Sequence, residues 1–193
     1  LFAYAIAPYG EGFYLFGGYD GAEYVDAVYH YDATSDTWST AGVLGQPRGF
    51  GAAATVAEGE EGAIYLVGGY DGHAELALCE SFHPARAVAG EDPWETHAPA
   101  SVGRAGHGLV SSGGKLYAVG GGWDGTLLVN ERYDIALDVW STFESPLVGE
   151  WRTLGLSSAS GPDGTRLYAI GGWAGRPLNG VEVYQAEYRL YVP

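Results

Sequence analysis

The sequence predicts an all-β chain built from four repeated units, and two observations carry that prediction. The first is an apolar run ending in a glycine doublet that returns four times: GFYLFGGYDG from Gly12, AIYLVGGYDG from Ala63, KLYAVGGGWDG from Lys115 and RLYAIGGWAG from Arg166. The doublets Gly17-Gly18, Gly68-Gly69, Gly120-Gly121 and Gly171-Gly172 are spaced by 51, 52 and 51 residues. A period this regular marks each unit as one supersecondary block. The second is composition, with 32 glycines and 15 tyrosines but few long helix formers, which favours strands joined by tight turns.

The rest of each unit stays in step with its doublet. Tyr14, Tyr65, Tyr117 and Tyr168 each stand three residues before it. Downstream an aromatic recurs at Tyr31, Phe82, Tyr133 and Tyr184, and a second at Trp38, Trp94, Trp140 and Tyr191. The gap between the two is seven residues in three units and twelve in the second, whose insertion PARAVAGED reads as a loop. Apolar run, glycine doublet, tyrosine and then tryptophan at these distances resemble the kelch repeat over nearly the whole chain. The resemblance implies a β-propeller of four four-stranded blades of about 51 residues. As a single domain over 1–193, its units run about 1–46, 47–102, 103–150 and 151–193. Closure of four blades alone, pairing with a second copy and membership of a longer array all stay open.

Along the chain, LFAYAIAPY from Leu1 is a strand-length apolar stretch ended by Pro8. Gly12 to Phe16 is apolar on both faces, as in a strand sandwiched between sheets. The glycine doublets suit close backbone approach, and Tyr19-Asp20-Gly21 reads as a turn. AVYHYD alternates, and ATSD turns the chain into a strand beginning near Trp38. The cycle restarts at PRGFGAAATVA, GRAGHGLVSS and WRTLGLSSAS, each an arginine followed by small residues that fit an innermost strand. The first unit lacks this arginine, whose place falls just before Leu1. YRLYVP, from Tyr188, is read as the last outer strand.

Composition excludes several function classes. The net charge of −15, with 24 acids against 9 bases and a single lysine, Lys115, argues against nucleic acid, which needs a clustered basic face. No run of about twenty apolar residues exists to span a membrane. The chain has no methionine and opens on Leu1, so a processed or partial chain is expected. The lone Cys79 makes no internal disulfide. Acidity and the scarcity of lysine favour an extracellular or cell-surface setting.

Three clusters are candidate sites. The kelch resemblance places Arg48, Arg104 and Arg152 on one face with Tyr19, Tyr70, Trp123 and Trp173, a face that holds partners in that family. Arginine forks match carboxylates and aromatic rings supply rigid contact area, so an acidic peptide is one conceivable ligand. The favoured expectation is that each arginine pairs with an acid of its own unit, such as Glu80 or Glu131. Trp151 and Trp173 fall outside the core pattern and read as surface anchors, while Trp38, Trp94, Trp140 and Tyr191 read as core. Asp20, Asp71 and Asp124 recur, with Ala174 in the fourth unit; turn chemistry is preferred to a calcium ring. His73, Cys79, His83 and His97 share the second unit, and Cys79 and His83 would share a strand face, yet their spacing matches no compact metal motif.

No catalytic constellation, cofactor motif or phosphate loop is found. The copper site of galactose oxidase, a kelch-propeller enzyme, has no matching residue set here. The expected function is a non-catalytic protein-binding or assembly module, whose partner is another protein or copies of itself, within a secreted or cell-surface assembly. The alternative is a carbohydrate-binding or carbohydrate-active propeller using Trp123, Trp151 and Trp173 as sugar-stacking platforms.

Overall fold

The computed structural model describes residues 1–56, 62–123, 125, 127–143 and 152–188. They divide into two compact units, Leu1–Ala105 and Gly106–Pro193. Trp151, Asp124 and Tyr191, with most of YRLYVP, lie outside the described residues.

The first unit holds two antiparallel sheets. One contains β1 (Ala5–Tyr9), β2 (Gly12–Phe16), β3 (Ala27–Asp32) and β4 (Thr37–Val43) in sequential order. The other repeats that order with β5 (Ala52–Val56), β6 (Ala63–Val67), β7 (Cys79–Phe82) and β8 (Trp94–Thr96). In the second unit, β9 (Gly108–Ser112), β10 (Lys115–Val119), β11 (Asn130–Asp134) and β12 (Val139–Phe143) form a third four-stranded sheet. The last sheet has three described strands, β13 (Gly155–Gly161), β14 (Gly164–Ile170) and β15 (Val181–Tyr188). Tyr188 therefore closes the third strand of its sheet rather than opening a fourth. Four sequentially wound antiparallel sheets with almost no helix are the all-β, blade-repeat class that the sequence predicts.

Hydrophobic patterning explains which faces are buried. All five residues of β6 are buried, because a middle strand has neighbours on both faces. Ala5 and Ala7 of β1 are buried where β1 and β5 lie side by side, and small residues let the innermost strands approach. Ala5, Tyr14, Phe16, Ile64, Leu66 and Phe82 form the core of the first unit. In the second unit, Val119, Leu154 and Ala169 pack together.

The recurrent aromatics seven residues apart are cross-strand partners: Tyr31 faces Trp38 and Tyr133 faces Trp140. The tyrosine of each pair also closes the intervening turn. Its hydroxyl donates to Asp36 Oδ1 at 2.8 Å in one sheet and to Asp138 Oδ1 at 2.5 Å in the other. Phe82 faces Trp94 in the same way, but has no hydroxyl and no such turn beneath it. There the insertion forms a short helix, α1 (Pro84–Ala89), where the sequence suggests a loop. Pro84 begins the helix, alanines fill it, and left-handed Gly90 ends it with its N–H on the Ala87 and Arg86 carbonyls.

Burial of the tryptophans differs from the core expectation. Trp94 and Trp140 are half-buried, and Trp38 is 54% exposed. Trp38 lies on the outermost strand, where Phe13 and Tyr31 pack against its ring and, among the described residues, no further strand pairs with β4. Among the described residues no helix is long and apolar enough to cross a membrane.

Candidate functional site

The glycine doublets position the site. Gly17 and Gly18 have φ values of +58° and +118°, and a Cβ on Gly17 would lie 2.2 Å from the Arg48 carbonyl oxygen. The strand entering the second sheet crosses directly over the first doublet, and Gly18 N–H donates to that carbonyl at 2.9 Å. Gly69 N–H makes the corresponding bond to the Arg104 carbonyl at 2.9 Å. A side chain at Gly17 would separate the two backbones.

Past each doublet the chain makes a tight loop held by an aspartate. Asp20 Oδ1 accepts the N–H groups of Ala22 and Glu23 at 2.8 and 2.9 Å. Asp71 Oδ1 accepts those of His73 and Ala74, both at 2.8 Å. These backbone donors hold both carboxyls below the usual aspartate range, so both are ionised at neutral pH. Asp20 and Asp71 thus act as turn caps, and among the described residues no three His, Cys, Asp or Glu side chains gather as a cation site.

The two loops of the first unit bring their aromatic rings into a row. Phe2 and Tyr19 have centroids 5.2 Å apart, Tyr19 and Tyr24 5.1 Å, and Tyr24 and Tyr70 5.8 Å. Beside the row lies an open groove of about 540 Å³ lined by Tyr19, Glu23, Tyr24, Gln46, Asp71 and His73. Gln46 Nε2 donates to Asp71 Oδ2 at 2.8 Å and ties the wall to the second loop. Tyr24 was not singled out from the sequence because its counterparts are Glu75 and Pro177, so the repeat carries no signal there.

The arginines are placed unequally. Arg48 is 2% exposed; Nη2 pairs with Glu80 Oε2 and Nη1 donates to the Gln46 carbonyl at 3.2 Å. Arg104 is fully buried. Arg152 is half-buried and donates from Nη1 to the Trp123 carbonyl at 3.1 Å. The left-handed residues Ala3, Phe50 and Thr153 mark the same step in three repeats, at φ of +58°, +56° and +55°. Arg48 stands two residues before that step and Arg152 only one, so Arg152 corresponds to Gly49. The bridges Gly49–Tyr70 and Arg152–Trp173 confirm the alignment. Three spaced arginines therefore are not three equivalent ones. In the first repeat the place of Arg48 is Leu1 itself, and Tyr29 takes the place of Glu80.

Tyr19 and Tyr70 thus line one half-buried row, while Trp123, Arg152 and Trp173 meet in the second unit, where Trp173 is 43% exposed. Of the metal candidates in the second repeat, His73 sits on the groove and Cys79 is buried in β7. His83 leaves the strand and precedes α1, so it does not share a strand face with Cys79. His83 and His97 instead meet at Ser81 Oγ, with Nε2 atoms at 3.1 and 2.8 Å.

Comparison with known proteins agrees with this architecture. The Kelch motif model matches residues 4–42, 103–147 and 157–187. Human Kelch-like protein 4 is 39% identical over 85 residues, 44% of this chain and 11% of that protein. Human Kelch-like protein 34 is 32% identical over 135 residues, 68% of this chain and 20% of that protein. The chain thus spans no more than a fifth of the length of these relatives. With sequential blade-type sheets, doublets crossed by the next entering strand and a motif match over most of its length, the chain belongs to the kelch-repeat family.

Proposed function

We propose that the chain is a non-catalytic protein-docking module, and that a partner segment carrying positive charge seats on the tyrosine row of the first unit. The observation that carries this reading is the pairing of a half-buried tyrosine row with ionised Asp20 and Asp71, while Arg48 and Arg104 stay buried. Tyrosines on rigid turns supply contact area at small entropic cost, and acidic neighbours favour basic partner side chains. An acidic peptide finds little to grip here, since the Arg48 guanidinium is committed to Glu80 and Gln46.

The test is a peptide array of graded charge probed with the intact chain and with Tyr24→Ala. Basic, aromatic-containing peptides should bind best, and Tyr24→Ala should weaken them about tenfold or more while the circular dichroism spectrum is kept. A preference for acidic peptides, binding to glycans alone, or indifference to Tyr24→Ala overturns the proposal.

A further inference from the structure

A second cavity lies at the other end of the first unit, where β1 turns into β2. It encloses about 490 Å³ between that turn, the end of β3 and helix α1. β2 runs from this turn to Gly17-Gly18, so the cavity and the tyrosine row occupy opposite ends of the sheet. The wall supplied by α1 exists because the second repeat carries an insertion there. Where the first sheet joins β3 to β4 by a tight turn closed through Asp36, the second spends its extra residues on Pro84, Ala85 and Val88, all facing the cavity. Val88 is 87% exposed, an apolar side chain that the chain itself leaves uncovered.

The opposite wall is aromatic and acidic. Tyr14 and His30 stack with centroids 4.4 Å apart, and Tyr9 meets Tyr14 edge-on at 6.1 Å. Asp32 and Glu11 also line the space, and no lysine or arginine is among the lining residues. The helix's own cation, Arg86, is paired with Glu95 at 2.7 Å. Asp32 accepts the Thr34 N–H at 2.8 Å and the Ser35 hydroxyl at 3.0 Å, and these donors hold it ionised. Tyr14 is only 5% exposed, and its ring forms part of the cavity wall. Burial raises its pKa, so the oxygen stays a neutral acceptor.

We infer that this cavity is a binding site for an arginine side chain presented by a partner polypeptide. A guanidinium is flat enough to stack on the Tyr9, Tyr14 and His30 rings, and its forked donors match both the carboxylates and the Tyr14 phenol oxygen. The methylenes of the same side chain would cover Pro84 and Val88, which a compact ammonium would do less well.

The experiment titrates N-acetyl-arginine amide into the intact chain, following aromatic proton shifts of Tyr9, Tyr14 and His30. The lysine and leucine amides serve as comparisons. Saturable shifts should appear with the arginine compound, and more weakly with lysine. Tyr14→Phe removes only the phenol oxygen and keeps the buried ring, so it should leave the melting temperature nearly unchanged. Combined with Glu11→Gln, it should weaken arginine binding about tenfold. Equal binding of the leucine amide would make the cavity an apolar socket and overturn the inference. So would an absence of saturable shifts, or full affinity in the double variant. Tyr24→Ala should leave this titration unaltered, so failure here and failure of the tyrosine-row proposal are told apart.

Discussion

Gly18 donates its backbone N–H to the Arg48 carbonyl at 2.9 Å, so the glycine doublet of the first sheet is bound to the entering strand of the second. One crossing thereby sets both the spacing of the two sheets and the place of a buried guanidinium.

Gly10 and Gly17 isolate the value of that crossing, because both have φ of +58°. A Cβ on Gly10 meets nothing within 4 Å, whereas one on Gly17 meets the Arg48 carbonyl at 2.2 Å. Gly10→Ala should cost about 1–2 kcal/mol, the strain of the left-handed conformation alone. Gly17→Ala should cost at least about 2 kcal/mol more by chemical denaturation, since backbone must move. Equal losses would show that the crossing is soft.

Arg48 and Glu80 form a buried ion pair whose counterparts in the first sheet are Leu1 and Tyr29. Arg48→Leu should destabilise by about 3–5 kcal/mol, because it strands Glu80 in a poorly solvated site. Arg48→Leu with Glu80→Tyr copies the first sheet and should recover more than half of that loss. A double variant no better than the single one would rule out the ion pair as the cause.

Trp94 donates its indole N–H to the Val43 carbonyl at 2.9 Å and packs on Phe82 at 5.0 Å. Trp94→Phe should cost about 1 kcal/mol for the lost bond, and Trp94→Ala about 2–4 kcal/mol. Trp38→Ala should stay below about 2 kcal/mol, since that ring is half uncovered. Thermal melts of the three variants in parallel decide whether the interior ring or the exposed one matters more.

Asp20, Asp32 and Asp71 each have a carboxyl pKa lowered first by backbone N–H donors. A depressed pKa stabilises the fold above the unfolded value of about 3.9, and that stability drains away as the pH falls through the folded value. Wild type should therefore lose melting temperature below about pH 4 more steeply than the triple Asp→Asn variant, whose amide oxygens still cap the loops. The difference between the two curves is the readout, because relief of general repulsion in so acidic a chain acts on both. Parallel curves would remove the caps as the source of acid sensitivity.

Much of the fold was legible in the residues because a repeat repeats its reasons. The strand–doublet–turn order, the Asp-Gly loops and the Tyr31–Trp38 pairing all rest on short-range geometry that every unit must satisfy. The insertion was legible as an interruption of the spacing, but not as a helix, since six residues show no periodicity and only their Pro and Gly ends hint at one. The site was less legible. Arg152 has the right type near the right place, yet a one-residue shift turns its side chain to a different neighbourhood.

By itself, then, the sequence determined what is local and repeated: four blade units, their turns, and the need for glycine where strands cross. It also determined the negative charge that favours basic partners. Only the tertiary structure decided which side chains share a space. Tyr24 joins Tyr70 across two sheets and helix α1 faces the turn after β1, contacts between residues about 45 to 75 positions apart. Such meetings follow from how sheets pack, and no pattern within a single unit encodes them.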